Sequence, residues 1–473
     1  MKRYDAIIIG TGSAMNLVEP MIQENPKIKI AVIDKDEPGG ICLTRGCIPS
    51  KILLYPAELV RTIQEASEFG LVVNMGRPDF PKVMARMRSL IDGDIDSIRQ
   101  GLSNSDNIDY FPSVAEFTAP YVLKVAGETI TSDMILLCTG SRAVIPPIDG
   151  LEGSGYITSD TALHLNQLPE SLVIVGGGYI AAEFGHFFSA MGSKVTVVGR
   201  NARFIPEQEP EVSALAKEVL GKYMTIVTNH EVRRVEKTLE GKRVYAVNRA
   251  DGKELVLEAK EVMIASGRGP TSDILHPERG GIKTTKDGWL EVDEYLQTSM
   301  RNVWAFGDAD GRYLFKHVAN YESQLVYYNA VLKRKVKVDY HAVPSAVFTY
   351  PEIARVGLGE KEAIEAYGED AVLIGFYLYE NTAKGEAINA KDYFVKVVLE
   401  AGSRRILGAH IIGPYASILI QEVVDLMYTR DRDAAPLTSS MHIHPSMSEV
   451  VERAFGNLME PREYHELLTR ASE

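Results

Sequence analysis

Two glycine turns, each set between an apolar strand and a helix, constrain this chain more than any other feature. Ala6-Ile-Ile-Ile9 runs into Gly10-Thr-Gly12, and Lys29-Ile-Ala-Val-Ile33 then ends on Asp34. Much later Ser171-Leu-Val-Ile-Val175 runs into Gly176-Gly-Gly178 and leads to Lys194-Val-Thr-Val-Val198. Each stretch reads as strand, turn, helix and strand. The backbone amides of such a turn, with the positive end of the helix behind them, suit a pyrophosphate. The chain is therefore expected to be α/β, with two Rossmann-like dinucleotide-binding units.

The two turns are not equally well formed. In Gly10-x-Gly12-x-x-Met15 the third position is not small, although a small residue there normally lets helix and strand pack closely. Asp34 could accept from a ribose hydroxyl, so a nucleotide site and a bare tight turn both fit. Gly176-x-Gly178-x-x-Ala181 is complete. An acid ending its second strand would suit a free ribose, whereas arginine would suit a 2′-phosphate. Here Gly199 precedes Arg200, with Arg203 close by. These residues favour NADPH, with NADH as the alternative and a merely solvated Arg200 as the competing account.

Breaks at Pro146-Pro147, Gly150 to Gly155 and Ser266-Gly-Arg-Gly-Pro270 bound a middle unit. After residue 340 the pattern changes to apolar runs at Val372 to Tyr377 and Tyr393 to Val398, then helical patterns at Ala416 to Met427 and Glu449 to Met459. That tail reads as a separate α+β unit. A length of 473 residues is consistent with about three domains. The formal charge of -13 argues against a nucleic-acid face or an anionic membrane surface. No stretch approaches the roughly 18 apolar residues of a membrane span, and no signal-like segment opens the chain, so a cytoplasmic location is expected.

Gly39-Gly40-Ile-Cys42-Leu-Thr-Arg-Gly46-Cys47-Ile-Pro49-Ser-Lys51 is the richest segment. Four residues separate the cysteines, so a loop or distorted first helical turn can bring the sulfurs together. Pro49 suits a first helical turn, which puts Cys47 near a positive helix end where thiolate is favoured. Lys51, four residues on, shares that helix face. A structural disulfide and a zinc site are the competing accounts; a reducing compartment counts against the first, and no Cys or His cluster completes the second, so no metal is expected. Arg45, between the cysteines, is either solvated or turned to an anionic substrate. Cys138, in an apolar strand, reads as a buried small hydrophobe.

Near the end, His442-Ile-His444-Pro445-Ser446-Met-Ser448-Glu449 admits two accounts. Ser446-x-x-Glu449 is a capping box for the next helix. Alternatively, Glu449 orients His444 as a proton donor and acceptor.

Taken together, these segments resemble the pyridine nucleotide–disulfide oxidoreductase family. The likeness is carried by the Cys42 to Lys51 motif with Cys138-Thr-Gly-Ser141, Gly176 to Glu183, Ala265-Ser-Gly-Arg268, Ala305-Phe-Gly-Asp308 and His444 to Glu449, in the family's order. It implies an FAD-binding domain from 1–150 and 270–340, an NAD(P)-binding domain from 151–269 and a C-terminal dimerisation domain from 341–473. Gly10, Gly12, Asp34, Gly40, Thr139, Gly140 and Asp308 would hold FAD. Gly176, Gly178, Tyr179, Ala181, Arg200, Arg203 and Gly267 would hold the nicotinamide nucleotide. Cys47 would face the flavin and Cys42 the substrate, Lys51 would pair with Glu183, and His444 with Glu449 would serve the dithiol of a second subunit in a homodimer. The disulfide partner would be a small molecule or a lipoyl group, not nucleic acid or membrane.

Within the family, Gly-Thr-Gly-Ser at the start, Tyr156 to Asp160, Phe315 to Asn320 and His442 to Pro445 look most similar to mycothione reductase, which works with NADPH. Pro206 stands where a second NADPH-type arginine is usual. Dihydrolipoamide dehydrogenase is the alternative, though its acid is absent at Gly199. Mercuric reductase fits less well, since the tail lacks a cysteine pair, and a non-catalytic scaffold would leave both cysteines, Lys51 and His444 unexplained.

Overall fold

The computed structural model describes residues 1–471. Its centre is two parallel five-stranded sheets of the same design. In the first, strands run in the order Val303–Ala305, Ile135–Leu137, Ala6–Ile9, Ile30–Asp34 and Ile108–Pro112. In the second the order is Ile157–Thr158, Glu261–Ile264, Ser171–Val175, Lys194–Val198 and Thr225–Val227. The strand that feeds the glycine turn lies third in both. Residues on both faces of the central strands Ala6–Ile9, Ile30–Asp34 and Ser171–Val175 are buried, which is why they read as unbroken apolar runs rather than alternating ones. The first sheet is completed by Val303–Ala305, from after the second sheet, so the chain leaves one unit and returns to it.

Each sheet carries a small antiparallel annex: Glu128–Thr131, Val122–Val125 and Ala115–Ala119 on the first, and His230–Lys237, Lys242–Asn248 and Glu254–Ala259 on the second. The tail forms a six-stranded antiparallel sheet covered by the helices Ala416–Met427 and Ser448–Gly456. The expected helix to Met459 stops at Gly456, because Leu458–Met459 adds itself as an edge strand against Ile374 and Gly375.

The dithiol region is positioned by the packing of Cys47–Glu65 on Tyr179–Met191, the first helix of the second sheet. Leu53, Leu54, Ala57 and Val60 join Phe184, Phe187 and Phe188 in one core cluster, with the Phe80 ring tilted against Phe187 and Phe188. Each of the leucine, valine and phenylalanine side chains contributes about 1.5 to 3 kcal/mol by leaving water. Among the described residues no helix is long and apolar enough to cross a membrane.

Candidate active site

The inter-cysteine segment is neither a plain loop nor a distorted first turn. A short helix, Gly40–Arg45, carries Cys42, and a second helix starts at Cys47 after a break at Gly46. Gly46 permits the break: a Cβ there would stand 2.8 Å from the Ile41 carbonyl oxygen. Cys47 therefore occupies the first helical position, where unpaired backbone N–H groups favour negative charge. Its thiol is drawn down to about 7 by the hydrogen bond from Cys42 and, less strongly, by Lys51, against the cost of burial. Cys42 moves the other way, because it is the donor of that bond and is itself desolvated. The pair thus places its first negative charge on Cys47.

Lys51 lies on the same helix face and donates to both oxygens of Glu183, at 2.9 and 2.8 Å. Glu183 is buried and also accepts from the Phe348 backbone N–H at 3.0 Å. The Lys51 ammonium sits 4.6 Å from the centre of the Phe348 ring.

One cavity gathers most of the sequence-derived residues. Gly10, Gly12, Asp34, Gly40, Cys42, Cys47, Lys51, Thr139, Gly140, Asp308, Tyr179 and Glu183 all line it. Its floor is built by close backbone approach. A Cβ on Gly10 would meet the Cys138 carbonyl oxygen at 2.0 Å, and one on Gly40 would meet the Gly12 Cα at 2.5 Å, so the first glycine turn and the cysteine motif pack directly together. The small residue missing at Met15 is supplied one position earlier by Ala14, which is fully buried, while Met15 turns partly outward. Asp34 accepts from the Thr11 N–H at 2.8 Å and hydroxyl at 2.6 Å. Thr139 Oγ1 is buried with no partner among the described residues. Asp308 accepts from Ser141, and burial raises its carboxyl above the ordinary range. Backbone amides, an unpaired hydroxyl and carboxylates along one groove fit a dinucleotide's phosphates and ribose.

Cys138 packs against the apolar core of the first sheet, as its strand suggests, with part of its surface on the cavity wall, and desolvation pushes its thiol up to about 12.

At the second glycine turn the position where an acid could end the strand is closely packed. Gly199 packs against Gly177, and a Cβ on either would come within 3.2 Å of the other's Cα. Gly176 is held far more strictly, since a Cβ there would stand 2.1 Å from the Ala265 carbonyl oxygen, whereas a Cβ on Gly178 would meet nothing within 4 Å. Ala181 is buried in the helix, and burial pushes the Tyr179 phenol on the cavity wall up to about 12. Arg200 and Arg203 are exposed, and neither has a carboxylate within ion-pair range among the described residues. Gly267 is exposed at φ +118° on the return between sheets.

His444 and Glu449 lie outside this cavity. His444 Nδ1 meets Glu449 Oε1 at 2.9 Å, and the other carboxylate oxygen accepts the Ser446 N–H at 3.1 Å. The two accounts of this segment are therefore compatible, since one carboxylate serves both. Only half the capping box forms: the Ser446 hydroxyl pairs with Ser448, and the helix starts at Ser448. Bonds from His444 and from Ser446 hold Glu449 below the usual carboxylate range. The His444 side chain is 71% exposed while that of Glu449 is 11% exposed, so the imidazole is presented outward from a fixed base.

Several cavity residues had no assignment from sequence. Thr11 anchors Asp34 and accepts from the Gly39 N–H, Arg268 donates to Ser141, and Lys316 donates to Ser13. Lys316 had a signal, since Phe315 to Asn320 stood out as a motif. Phe348 had none.

Comparison with known proteins agrees with this geometry. The family description pyridine nucleotide-disulphide oxidoreductase matches residues 4–323, and that family's dimerisation domain matches 343–455. Mycothione reductase of Mycobacterium tuberculosis is 36% identical over 465 residues, covering 96% of this chain and 99% of that protein. Dihydrolipoyl dehydrogenase of Chlamydia pneumoniae is 32% identical, covering 95% of each. Among solved structures, the Cu(II) complex of the HOCl-induced flavoprotein disulfide reductase RclA from Escherichia coli superposes with a TM-score of 0.85 at 28% identity, covering 96% of this chain and 99% of that one.

Proposed function

The chain belongs to the pyridine nucleotide-disulphide oxidoreductase family, and from that premise we propose that Cys42 and Cys47 reduce a low-molecular-weight disulfide with NADPH as the preferred electron source. It is an oxidoreductase of the flavoprotein disulfide reductase group, working with FAD and a nicotinamide nucleotide. The observation that carries the reading is the meeting of both cysteines, Lys51 and the first glycine turn on one cavity.

Gly10, Gly12, Asp34, Thr139 and Asp308, in the unit formed by 1–150 and 270–340, would hold FAD, which when bound would supply two-electron chemistry between nicotinamide and disulfide. The remaining chemistry belongs to the chain. Gly176, Gly178 and Ala181 seat the nicotinamide nucleotide in 151–269, Arg200 and Arg203 pair with its 2′-phosphate, and Tyr179 covers the approach to the cavity. Lys51, oriented by Glu183, keeps a positive charge beside Cys47 and favours its thiolate. Cys42 gives its proton to the imidazole of His444 of the partner subunit and attacks the substrate disulfide as the thiolate, forming a mixed disulfide and releasing one thiolate. His444 of the partner subunit, held by its Glu449, donates a proton to that leaving sulfur. Cys47 then attacks Cys42, closing the internal bond and releasing the second thiolate.

The matched dimerisation domain supports homodimerisation. Exposed apolar side chains around His444 and on the neighbouring helix, namely Met441, Ile443 and Ile418, support it too. A lipoyl dithiol is the alternative substrate, favoured by the dihydrolipoyl dehydrogenase relatives.

The test is a panel of lipoamide, glutathione, bis-coenzyme A and other cysteine-derived disulfides, each assayed with NADPH and NADH. A small thiol disulfide should be turned over fastest, with kcat/KM about tenfold higher for NADPH, as one lost charge-assisted contact would cost. Arg200→Glu should abolish that preference. Lipoamide as the sole substrate, with NADH preferred, would replace this reading with the alternative.

A further inference from the structure

Arg45 ends the short helix that carries Cys42, one residue before the break at Gly46. Its guanidinium is not free for an anionic substrate. Nη2 meets Asp36 Oδ2 at 2.5 Å, and Nε lies 3.4 Å from Asp160 Oδ2. The two carboxylates belong to different sheets. Asp36 follows the strand Ile30–Asp34 and is tied to it through the bond from its N–H to Asp34. Asp160 follows the strand Ile157–Thr158 of the second sheet, in a turn capped by Thr158.

Asp160 is itself held in place. The Ser159 hydroxyl donates to its Oδ1 at 3.1 Å, and Arg268 Nη1 lies 3.9 Å from the same oxygen. Arg268 Nε donates to Ser141 Oγ at 2.8 Å, and Ser141 donates to Asp308 on the cavity wall. A polar chain thus runs from the inter-cysteine segment across both sheets and back to the cavity. Arginine can serve two acids at once through separate N–H edges, which lysine's single ammonium does less rigidly. A pair about a quarter exposed contributes little to overall stability, so the value of this contact is geometric.

Geometry matters here because the tendency of two thiols to close into a disulfide depends on how narrowly their separation is held. The segment linking them is one helical turn and a glycine, and Arg45 is its side-chain fastening to both sheets. We propose that Arg45 is a positioning residue that clamps the inter-cysteine segment between the two dinucleotide-binding sheets and thereby sets the reduction potential of the Cys42–Cys47 pair. This inference rests on the redox role proposed above.

The experiment uses the holoenzyme, wild type and Arg45→Gln, Asp160→Asn, Arg45→Lys and the double variant Arg45→Gln/Asp160→Asn. Each is equilibrated in graded mixtures of reduced and oxidised dithiothreitol, quenched in acid, alkylated and read by mass spectrometry. Each disulfide opened takes two electrons and two protons from dithiothreitol, which closes to its cyclic disulfide. Arg45→Gln should lower the effective concentration of one thiol at the other about tenfold, moving the midpoint about 30 mV to less negative values. Asp160→Asn should shift it in the same direction, the double variant should shift it no further than Arg45→Gln, and Arg45→Lys should recover part of the change. An unchanged midpoint in Arg45→Gln overturns the inference, including where its melting temperature falls, since that marks a structural contact only. A shift in Arg45→Gln that Asp160→Asn lacks, or that adds to it, overturns the clamp between sheets. Failure of the wild-type pair to form a disulfide at any ratio removes the redox reading itself, and this inference with it.

Discussion

Two lysine–glutamate clusters in this chain use the same groups for opposite ends. At the cavity, Lys51 meets one carboxylate, Glu183, and its side chain stays 35% exposed. Between the second sheet and the tail, Lys396 is 1% exposed and meets Glu209 at 2.6 Å, Glu360 at 2.7 Å, and Glu211. Both ammonium groups lie over an aromatic ring, Phe348 for Lys51 and Tyr464 for Lys396. Burial acts against the charge on Lys396, and the three carboxylates more than reverse it, holding the ammonium above its ordinary value. Glu209 and Glu211 flank the start of the helix Pro210–Gly221, Glu360 starts another helix and Lys396 lies on a central strand of the six-stranded sheet. A sealed lysine with three acids on two units can act only as a fastener. An open lysine with one acid leaves its field available to a neighbouring thiol.

The largest expected effect breaks the sealed cluster. Lys396→Met leaves the buried carboxylates of Glu209 and Glu360 and the partly buried one of Glu211 facing one another, and removing one member of a buried ionic group costs about 3 to 5 kcal/mol. Urea unfolding should show that loss, while the reactivity of Cys47 towards iodoacetamide stays unchanged. Adding Glu209→Gln and Glu360→Gln to Lys396→Met should recover much of it, since the uncompensated charge is then reduced. A Lys396→Met chain as stable as wild type would remove the fastener role.

How much of this could be read from the sequence follows from where the participating residues lie. Cys42, Cys47 and Lys51 fall within ten residues on adjoining helices, so spacing alone groups them. The two parallel sheets were legible because strand, glycine turn and helix are local. Lys396 and its acids lie on three separate segments, with no local pattern to announce them, and Phe348 reaches Glu183 from 165 residues away. Gly199 was noted as a missing acid, but its close packing on Gly177 exists only once the turn is folded. The helix expected to Met459 was shortened by strand pairing with Gly375, a tertiary event that helical periodicity does not encode.

A smaller effect sharpens the contrast from the open side. Lys51→Met leaves Glu183 with its bond from the Phe348 N–H, so unfolding should cost only about 1 to 2 kcal/mol. The reactivity of Cys47 should change more visibly. Lys51 is one of the groups drawing that thiol down, so its loss should raise the midpoint of the iodoacetamide rate against pH by roughly one unit. An unmoved midpoint would separate Lys51 from the dithiol and make both clusters mere fasteners.

The smallest effect is a pH dependence that only the open cluster should confer. In the reduced chain Cys47 titrates at about 7 when folded, against 9.0 for an ordinary thiol. Between those values the unfolded chain carries the extra proton, so stability rises with pH across that window and the contribution is lost as pH falls through about 7. The melting temperature of reduced wild type, measured from pH 6 to 9 and compared with Cys47→Ser, should therefore gain on the variant as pH rises. In Lys51→Met the gain should start at higher pH and be smaller, because the folded value moves back towards 9.0. Lys396→Met should lower the whole curve without changing that difference. The two clusters are distinguished most directly here: one sets the level of the curve, and the other sets its slope near neutrality.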